Sequence, residues 1–168
     1  MIVISDTNIL SSFAAGDAFH PLFQLFTKTK IHTPPSVKHE LQAGIAHGHK
    51  HLKKVLESFD RDELQILKLS KQEQKLANEL PKNLNVGECE AIALSKVRKG
   101  QLLTNDKRAV RYCKERRIKV LDLAVLLRLL WTRGIVTQEE VNIMLKKMKE
   151  VENLQLSRDT LDIIFAQS

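Results

Sequence analysis

Four acidic side chains stand where a folded chain could gather them: Asp6, Glu40, Glu90 and Asp106. Asp6 follows the β-branched run Ile2-Val3-Ile4 and Ser5, and Asp106 comes shortly after Gln101-Leu102-Leu103-Thr104. Each run reads as a short buried strand, and in open parallel sheets sites assemble at the carboxyl ends of strands. Either Asp can instead simply cap the helix that follows it. Two of them, each near an Asn (Asn8 and Asn105), favour a site. Like-charged carboxylates repel, and they stay ionised together most easily with a cation between them. Oxygen donors of this kind suit Mg²⁺ or Mn²⁺.

Two of the acids are expected on helices. Asn85 to Lys99 is periodic as a helix and is closed by Gly100. At about 100° per residue, Val86, Cys89, Ile92, Ala93, Leu94 and Val97 share a broad face, with Glu90 inside it and Glu88 nearly opposite. An inward carboxylate needs a partner or a metal. Glu88 has a local role available, a capping box with Asn85. Periodicity alone therefore favours Glu90 over Glu88 as a ligand. Val37, Glu40, Leu41 and Gly44 follow i, i+3, i+4, i+7 spacing, which places Glu40 on the inner face of a helix capped by Ser36. Taken alone, Glu40 would read as an edge residue reaching out to solvent.

The rest of the chain agrees with a polyanionic partner. It has 168 residues with 27 Lys and Arg against 20 Asp and Glu, a net charge of +7. Such an excess is typical of nucleic-acid binders, though a solvated basic face gives the same count. The densest basic run, Lys107, Arg108, Arg111, Lys114, Arg116 and Arg117, begins beside Asp106. Its first members, Lys107, Arg108 and Arg111, are candidates to hold a nucleic-acid backbone. A cation among carboxylates, ringed by basic groups, is what phosphodiester hydrolysis uses. Asn8, Thr104 and Asn105 are candidates to orient the acids or a water, and Asp122, after the apolar pair Val120-Leu121, could supplement Asp106.

Hydrophobic residues make up 43% and charged residues 28% of the chain, ordinary values for one globular domain. Strand-like runs at Ile2–Ile4, Lys30–Thr33, Gln101–Thr104 and Lys119–Leu121 alternate with helical segments, which predicts an α/β fold on a parallel sheet. Leu64 to Leu69 is either another strand or an extended connection. Helices are expected over Asn8–Ala15, Pro21–Thr27, from Ser70 to near Pro81, Lys107–Arg117 and Leu123–Arg133, with two more, Gln138–Lys149 and Thr160–Ala166, beyond Gly134. The alternating His47, His49 and His51 suit no common zinc spacing and read as a solvated loop open to nucleic acid. Cys89 and Cys113 form no metal-binding pattern and read as small buried hydrophobes. The opening MIVISDTNIL lacks the features of a signal peptide and no stretch is apolar enough to span a membrane, so a cytoplasmic setting is expected.

Four segments resemble one known family in order and in kind. Ile4-Ser5-Asp6-Thr7-Asn8 resembles the opening motif of PIN-domain proteins, the ribonuclease fold of VapC-type toxins and stand-alone prokaryotic nucleases. Pro34-Pro35-Ser36-Val37-Lys38-His39-Glu40-Leu41 resembles that family's second-acid helix. Gly87-Glu88-Cys89-Glu90-Ala91-Ile92-Ala93-Leu94 resembles its third, and Leu103-Thr104-Asn105-Asp106-Lys107-Arg108 its fourth-acid motif. Each motif is short, and their specificity lies in the combination. The resemblance covers residues 1–134 and implies a three-layer PIN-like fold with a central parallel sheet flanked by helices. It further implies a Mg²⁺- or Mn²⁺-dependent endoribonuclease whose acids are Asp6, Glu40, Glu90 and Asp106, with Asp6, Glu90 and Asp106 on metal. Glu88 and Glu90 remain alternatives for the third acid. Residues 135–168 are expected to be a helical extension packed on the same domain.

RNA is the expected substrate, and an antitoxin protein is the partner expected if the chain is the toxin of a toxin–antitoxin pair. A homodimer is also expected, because Leu126, Leu127, Leu129, Leu130 and Trp131 wrap more than one face of their helix. The alternative cover for that helix is the C-terminal pair folding back. The competing functional reading is a non-catalytic RNA- or protein-binding module with a vestigial acidic pocket. A phosphate-accepting receiver domain fits poorly, since Asp6 follows Ser5 rather than another acid.

Overall fold

The β-branched opening forms β1 (Val3–Ser5), and four more three-residue strands follow: β2 (Ile31–Thr33), β3 (Leu64–Ile66), β4 (Gln101–Leu103) and β5 (Lys119–Leu121). In this computed structural model, which describes residues 1–167, they pair in the order β3-β2-β1-β4-β5. Every pairing is parallel, with Val3 opposite both Ile31 and Gln101. Parallel neighbours need crossover connections, which the helices provide.

Side chains alternate across each strand, so Val3 and Leu103 enter one hydrophobic cluster and Ile4 and Leu102 the other. The first face is covered by α1 (Thr7–Ala15), α2 (Phe19–Leu25), α3 (Pro35–Ala46), α4 (Lys53–Asp60), α8 (Leu123–Thr132), α9 (Gln138–Glu152) and α10 (Arg158–Phe165). The second is covered by α5 (Lys71–Glu79), α6 (Val86–Val97) and α7 (Lys107–Glu115). This is the three-layer α/β arrangement with a central parallel sheet. Ile4, Phe13, Leu22 and Ile92 are all fully buried, each stabilising the fold by about 1.5–3 kcal/mol. Among the described residues no helix is long and apolar enough to cross a membrane.

The two C-terminal helices pack on the same core. Val141, Met144 and Met148 of α9 and Ile164 of α10 join the cluster that holds Leu126, Leu127 and Leu130. The Trp131 indole N–H donates to the Ile164 carbonyl at 2.7 Å. Leu126, Leu127 and Leu130 of α8 are thus buried within one chain, while Leu129 and Trp131 stay half-buried. The extension as read from sequence ends at Ser168, outside the described residues.

Three local readings change. α3 starts at Pro35 rather than after a Ser36 cap: Pro34 holds the cap position without a side-chain bond, and Ser36 lies in the first turn. The His-rich stretch is more ordered than a solvated loop, because a 3-10 turn (Lys50–Leu52) leads directly into α4. His51 is largely buried there, its Nε2 3.0 Å from the Ser11 hydroxyl and 3.4 Å from Glu152. Finally, α10 is capped by Ser157, which accepts from the Thr160 amide, so it begins earlier than Thr160.

Candidate functional site

The connection from β1 runs to β2 on one side, and that from β4 runs to β5 on the other. A crevice therefore opens between the carboxyl ends of β1 and β4, the place where open parallel sheets build sites. Asp6 follows β1 directly, and its amide donates to Leu103 O at 3.1 Å, tying it to β4. It also caps α1, with Oδ1 accepting from the Ile9 amide at 3.1 Å, while Oδ2 accepts from the Thr104 hydroxyl. Its side chain is only 2% exposed. Burial pushes its pKa from 3.8 to about 7, against the donations from Thr104 and Ile9 and with a contribution from the charges of Glu88 and Glu40.

Asp106 stands on the other lip. It caps α7, with Oδ1 accepting the amides of Arg108 and Ala109, each at 2.9 Å. Its own amide donates to Thr104 Oγ1 at 3.2 Å, so this one threonine links the two aspartates. Burial pushes the Asp106 carboxyl up, but the Arg108 guanidinium 3.1 Å away and the capped amides outweigh it and hold it below the ordinary range.

Glu40 reaches the crevice from α3. The Thr7 hydroxyl donates to its Oε2 and the Gly87 amide donates to its Oε1 at 3.1 Å. A Cβ at position 87 would lie 2.6 Å from that oxygen, so glycine is what lets α6 approach Glu40. Glu88, the next residue, is 3% exposed and closes the capping box of α6: it accepts the Asn85 amide at 3.0 Å while its own amide donates to Asn85 Oδ1 at 2.8 Å. Burial raises the Glu88 pKa, the Asn85 amide opposes the rise, and the charges of Asp106 and Glu40 add to it.

The expected orientation of the two α6 glutamates is therefore reversed. Glu88 is the buried one, and it feels Asp6, Glu40 and Asp106. Glu90 is half-buried and lines a separate cleft with Val86 and Cys89. Its Oε2 accepts from the Ser36 hydroxyl, and from the Ser36 amide at 3.3 Å, which satisfies the start of α3. Periodicity misplaces these two glutamates because Ala91 to Ser95 are all buried in succession. A helix enclosed on nearly every side has no apolar edge from which to read its phase. The capping box sets the direction of Glu88 instead, folding it back over the N-terminus of α6.

A cleft of about 520 Å³ adjoins Asp106, lined also by Asn8, Ser11, Ser12, Asn105, Lys107, Arg108, Glu152 and Leu154. Asn8, Asn105, Lys107 and Arg108 thus stand together on one cleft. Arg111 faces a neighbouring cleft that shares Arg108. Asp122 lies beyond β5 and caps α8, accepting the Val125 amide at 3.0 Å. A larger cavity of about 910 Å³, lined by Leu25, Phe26, Leu121 and Leu129 among others, carries no acidic side chain.

Thr7 and Gly87 hold Glu40, and both lay within motifs already in view. Glu152, at the end of α9, accepts from the hydroxyls of Ser11 and Ser12 and borders the cleft. Nothing in its local sequence signals that role, because it depends on how α9 packs on α1.

The donor set, carboxylate oxygens close enough that Glu88 and Glu40 push up Asp6 and that Asp106 and Glu40 push up Glu88, has the chemistry of a hard divalent cation site. Among the described residues, no three Asp, Glu, His or Cys side chains are grouped as a ready-made metal site. Each acid is held by protein donors: Thr104 and Ile9 on Asp6, Thr7 and Gly87 on Glu40, Asn85 on Glu88, Arg108 on Asp106.

A family model described as PIN domain (DUF3368) matches residues 2–168. No curated protein matches the sequence. Among solved structures, a chain of VapBC2 from Rickettsia felis, determined bound to a DNA fragment from their promoter, is similar in fold. Its TM-score is 0.55 at 18% identity, and the match covers 73% of this chain and 98% of that one.

Proposed function

The chain belongs to the PIN-domain family, and from that premise we propose that it is a divalent-metal-dependent endoribonuclease, the toxin of a toxin–antitoxin pair. The observation that carries this reading is the gathering of acids at the carboxyl ends of β1 and β4, where the charges of Glu40 and Glu88 act on buried Asp6 and those of Glu40 and Asp106 act on buried Glu88, in a protein with a net charge of +7. An acidic crevice in a basic protein repels the phosphate that the surrounding surface attracts, unless a cation occupies it. In this reading Asp6, Glu88 and Asp106 would hold Mg²⁺ or Mn²⁺, with Glu40 as the fourth acid. Glu88 takes the third-acid place that periodicity gave to Glu90.

Bound there, the ion would supply charge neutralisation for the phosphodiester and a lowered pKa for an attacking water. The chain's own residues do the rest. Thr104 fixes Asp6 and Asp106 relative to each other, and Thr7 with Gly87 fixes Glu40. Asn8 and Asn105, on the cleft wall, present carboxamides that can orient a water or a ribose hydroxyl. Lys107 and Arg108, at the start of α7, hold the RNA backbone, and Arg111 continues that track. The deciding experiment measures cleavage of a labelled mixed-sequence RNA in Mn²⁺, in Mg²⁺ and in EDTA, with Asp6→Asn as control. Cleavage that persists in EDTA or in Asp6→Asn would refute the reading.

The likeness to a chain of VapBC2 supports an antitoxin protein as partner, testable by co-purification with the product of a neighbouring reading frame. A second reading, a binding module with a vestigial acidic pocket, is favoured by one observation: every acid is already engaged by protein donors. Such a module would bind RNA without cleaving it and would gain no thermal stability from Mn²⁺.

A further inference from the structure

The second cleft on α7 adjoins the first. It has a volume of about 250 Å³ and shares Arg108 with the acidic crevice's cleft; Asn83, Arg111, Tyr112, Glu115 and Arg116 are further lining residues. Tyr112, the chain's only tyrosine, is half-buried and packs on the core beneath α7. The Arg116 guanidinium lies over its ring, 3.8 Å from the centroid. Arg108 and Tyr112 are spaced i, i+4 on α7 and Arg116 is the residue that ends it, so the three line one cleft running toward the C-terminus of the helix.

We infer that this cleft is a base-stacking subsite for a nucleotide flanking the scissile phosphate, with the Arg116 guanidinium, backed by Tyr112, as its platform. The inference rests on the ribonuclease reading above. A guanidinium packed over an aromatic ring at this distance has an outer face open to a second planar group, and bases stack on arginine planes as they do on aromatic rings. The other lining groups choose a base over a phosphate. The Glu115 carboxylate, paired with Arg116 at 3.3 Å, repels an anion but accepts hydrogen bonds from the amino edge of a base. Asn83 adds both a donor and an acceptor. Arg108, with one side on each cleft, is placed to hold the phosphate between the scissile position and this base.

The test uses the full chain and two labelled RNAs of about eight nucleotides, oligoadenylate and oligouridylate. Binding is read by fluorescence anisotropy in EDTA, and cleavage of a mixed-sequence RNA is measured separately in Mn²⁺. Purines stack more strongly, so the wild-type chain should bind oligoadenylate about tenfold more tightly. Arg116 is exposed, so its replacement leaves the fold intact. Arg116→Lys keeps the charge and loses the planar face. It should erase that preference while leaving oligouridylate affinity and the salt slope unchanged. No adenylate preference in the wild type, or equal weakening on both RNAs in Arg116→Lys, overturns the subsite. If cleavage in Mn²⁺ persists in that case, the ribonuclease reading stands alone; if the wild type neither binds nor cleaves RNA, both fall.

Discussion

Replacing Asp6 by Asn should stabilise the metal-free protein while abolishing the proposed activity. The buried carboxyl titrates near 7 in the folded chain against 3.8 in the ordinary state. Between those values the folded state binds more protons than the unfolded state, so stability falls as pH rises through the window. Linkage puts the destabilisation caused by Asp6 at about 2 kcal/mol at pH 5, where only the unfolded state is ionised, and about 4 kcal/mol at pH 8. Asparagine carries no charge. Its oxygen can accept from the Ile9 amide, while its amino group must donate to Thr104 Oγ1 in place of the bond that hydroxyl now donates, a pH-independent cost of about 1 kcal/mol that is smaller than the gain at pH 8. The stability gained by Asp6→Asn should therefore be about 2 kcal/mol larger at pH 8 than at pH 5. In urea titrations with EDTA that difference moves the midpoint by roughly 1 M. Saturating Mn²⁺ should then stabilise the wild type and leave the variant unmoved. A stability difference independent of pH, or a variant less stable than wild type at pH 8, would refute the account of a charge held in the crevice.

Mn²⁺ affinity should fall at least tenfold in Glu88→Gln and stay within about twofold in Glu90→Gln, as read by calorimetry; a larger loss from Glu90→Gln would restore the periodicity-based assignment. Glu73, 1% exposed and held by Arg98 at 2.6 and 2.9 Å, has its carboxyl drawn from 4.5 down to about 2, with the Arg98 bond the largest cause. A depressed carboxyl contributes stability above its unfolded pKa and loses it on acidification, so Glu73→Gln should cost about 3 kcal/mol at pH 7 and little near pH 2 by urea titration. Lys107→Glu and Arg111→Glu should each lower the slope of RNA affinity against salt by about one or more while sparing Mn²⁺ affinity, and an unchanged slope would assign that face to solvent. Truncation after Leu156 removes α10 and uncovers Trp131, so light scattering should read association beyond the 19.2 kDa chain; a monomeric truncated chain would show that α10 is not the needed cover.

The elements themselves were legible because their signals are local. Ile2–Ile4, Leu102-Leu103 and Val120-Leu121 are apolar runs bounded by polar residues, and Ser70, Asn85 and Thr137 announce their helices with an acid three residues on. Two of the acids were legible for the same reason: Asp6 directly follows β1 and Asp106 stands just past β4, after Thr104 and Asn105, so knowing the strands locates them. The direction of the α6 glutamates was not. Glu88 and Glu90 differ by 200° around a helix that is buried almost all round, and only the contact of Gly87 with Glu40 and the closed capping box show which side meets the crevice. His51 and Glu152, about a hundred residues apart, likewise become neighbours only once α9 lies against α1. Local patterns encode which element forms, because helix and strand periodicity depend on adjacent residues. Which side chains share a crevice depends on how elements distant in sequence pack, and that is decided by the tertiary fold.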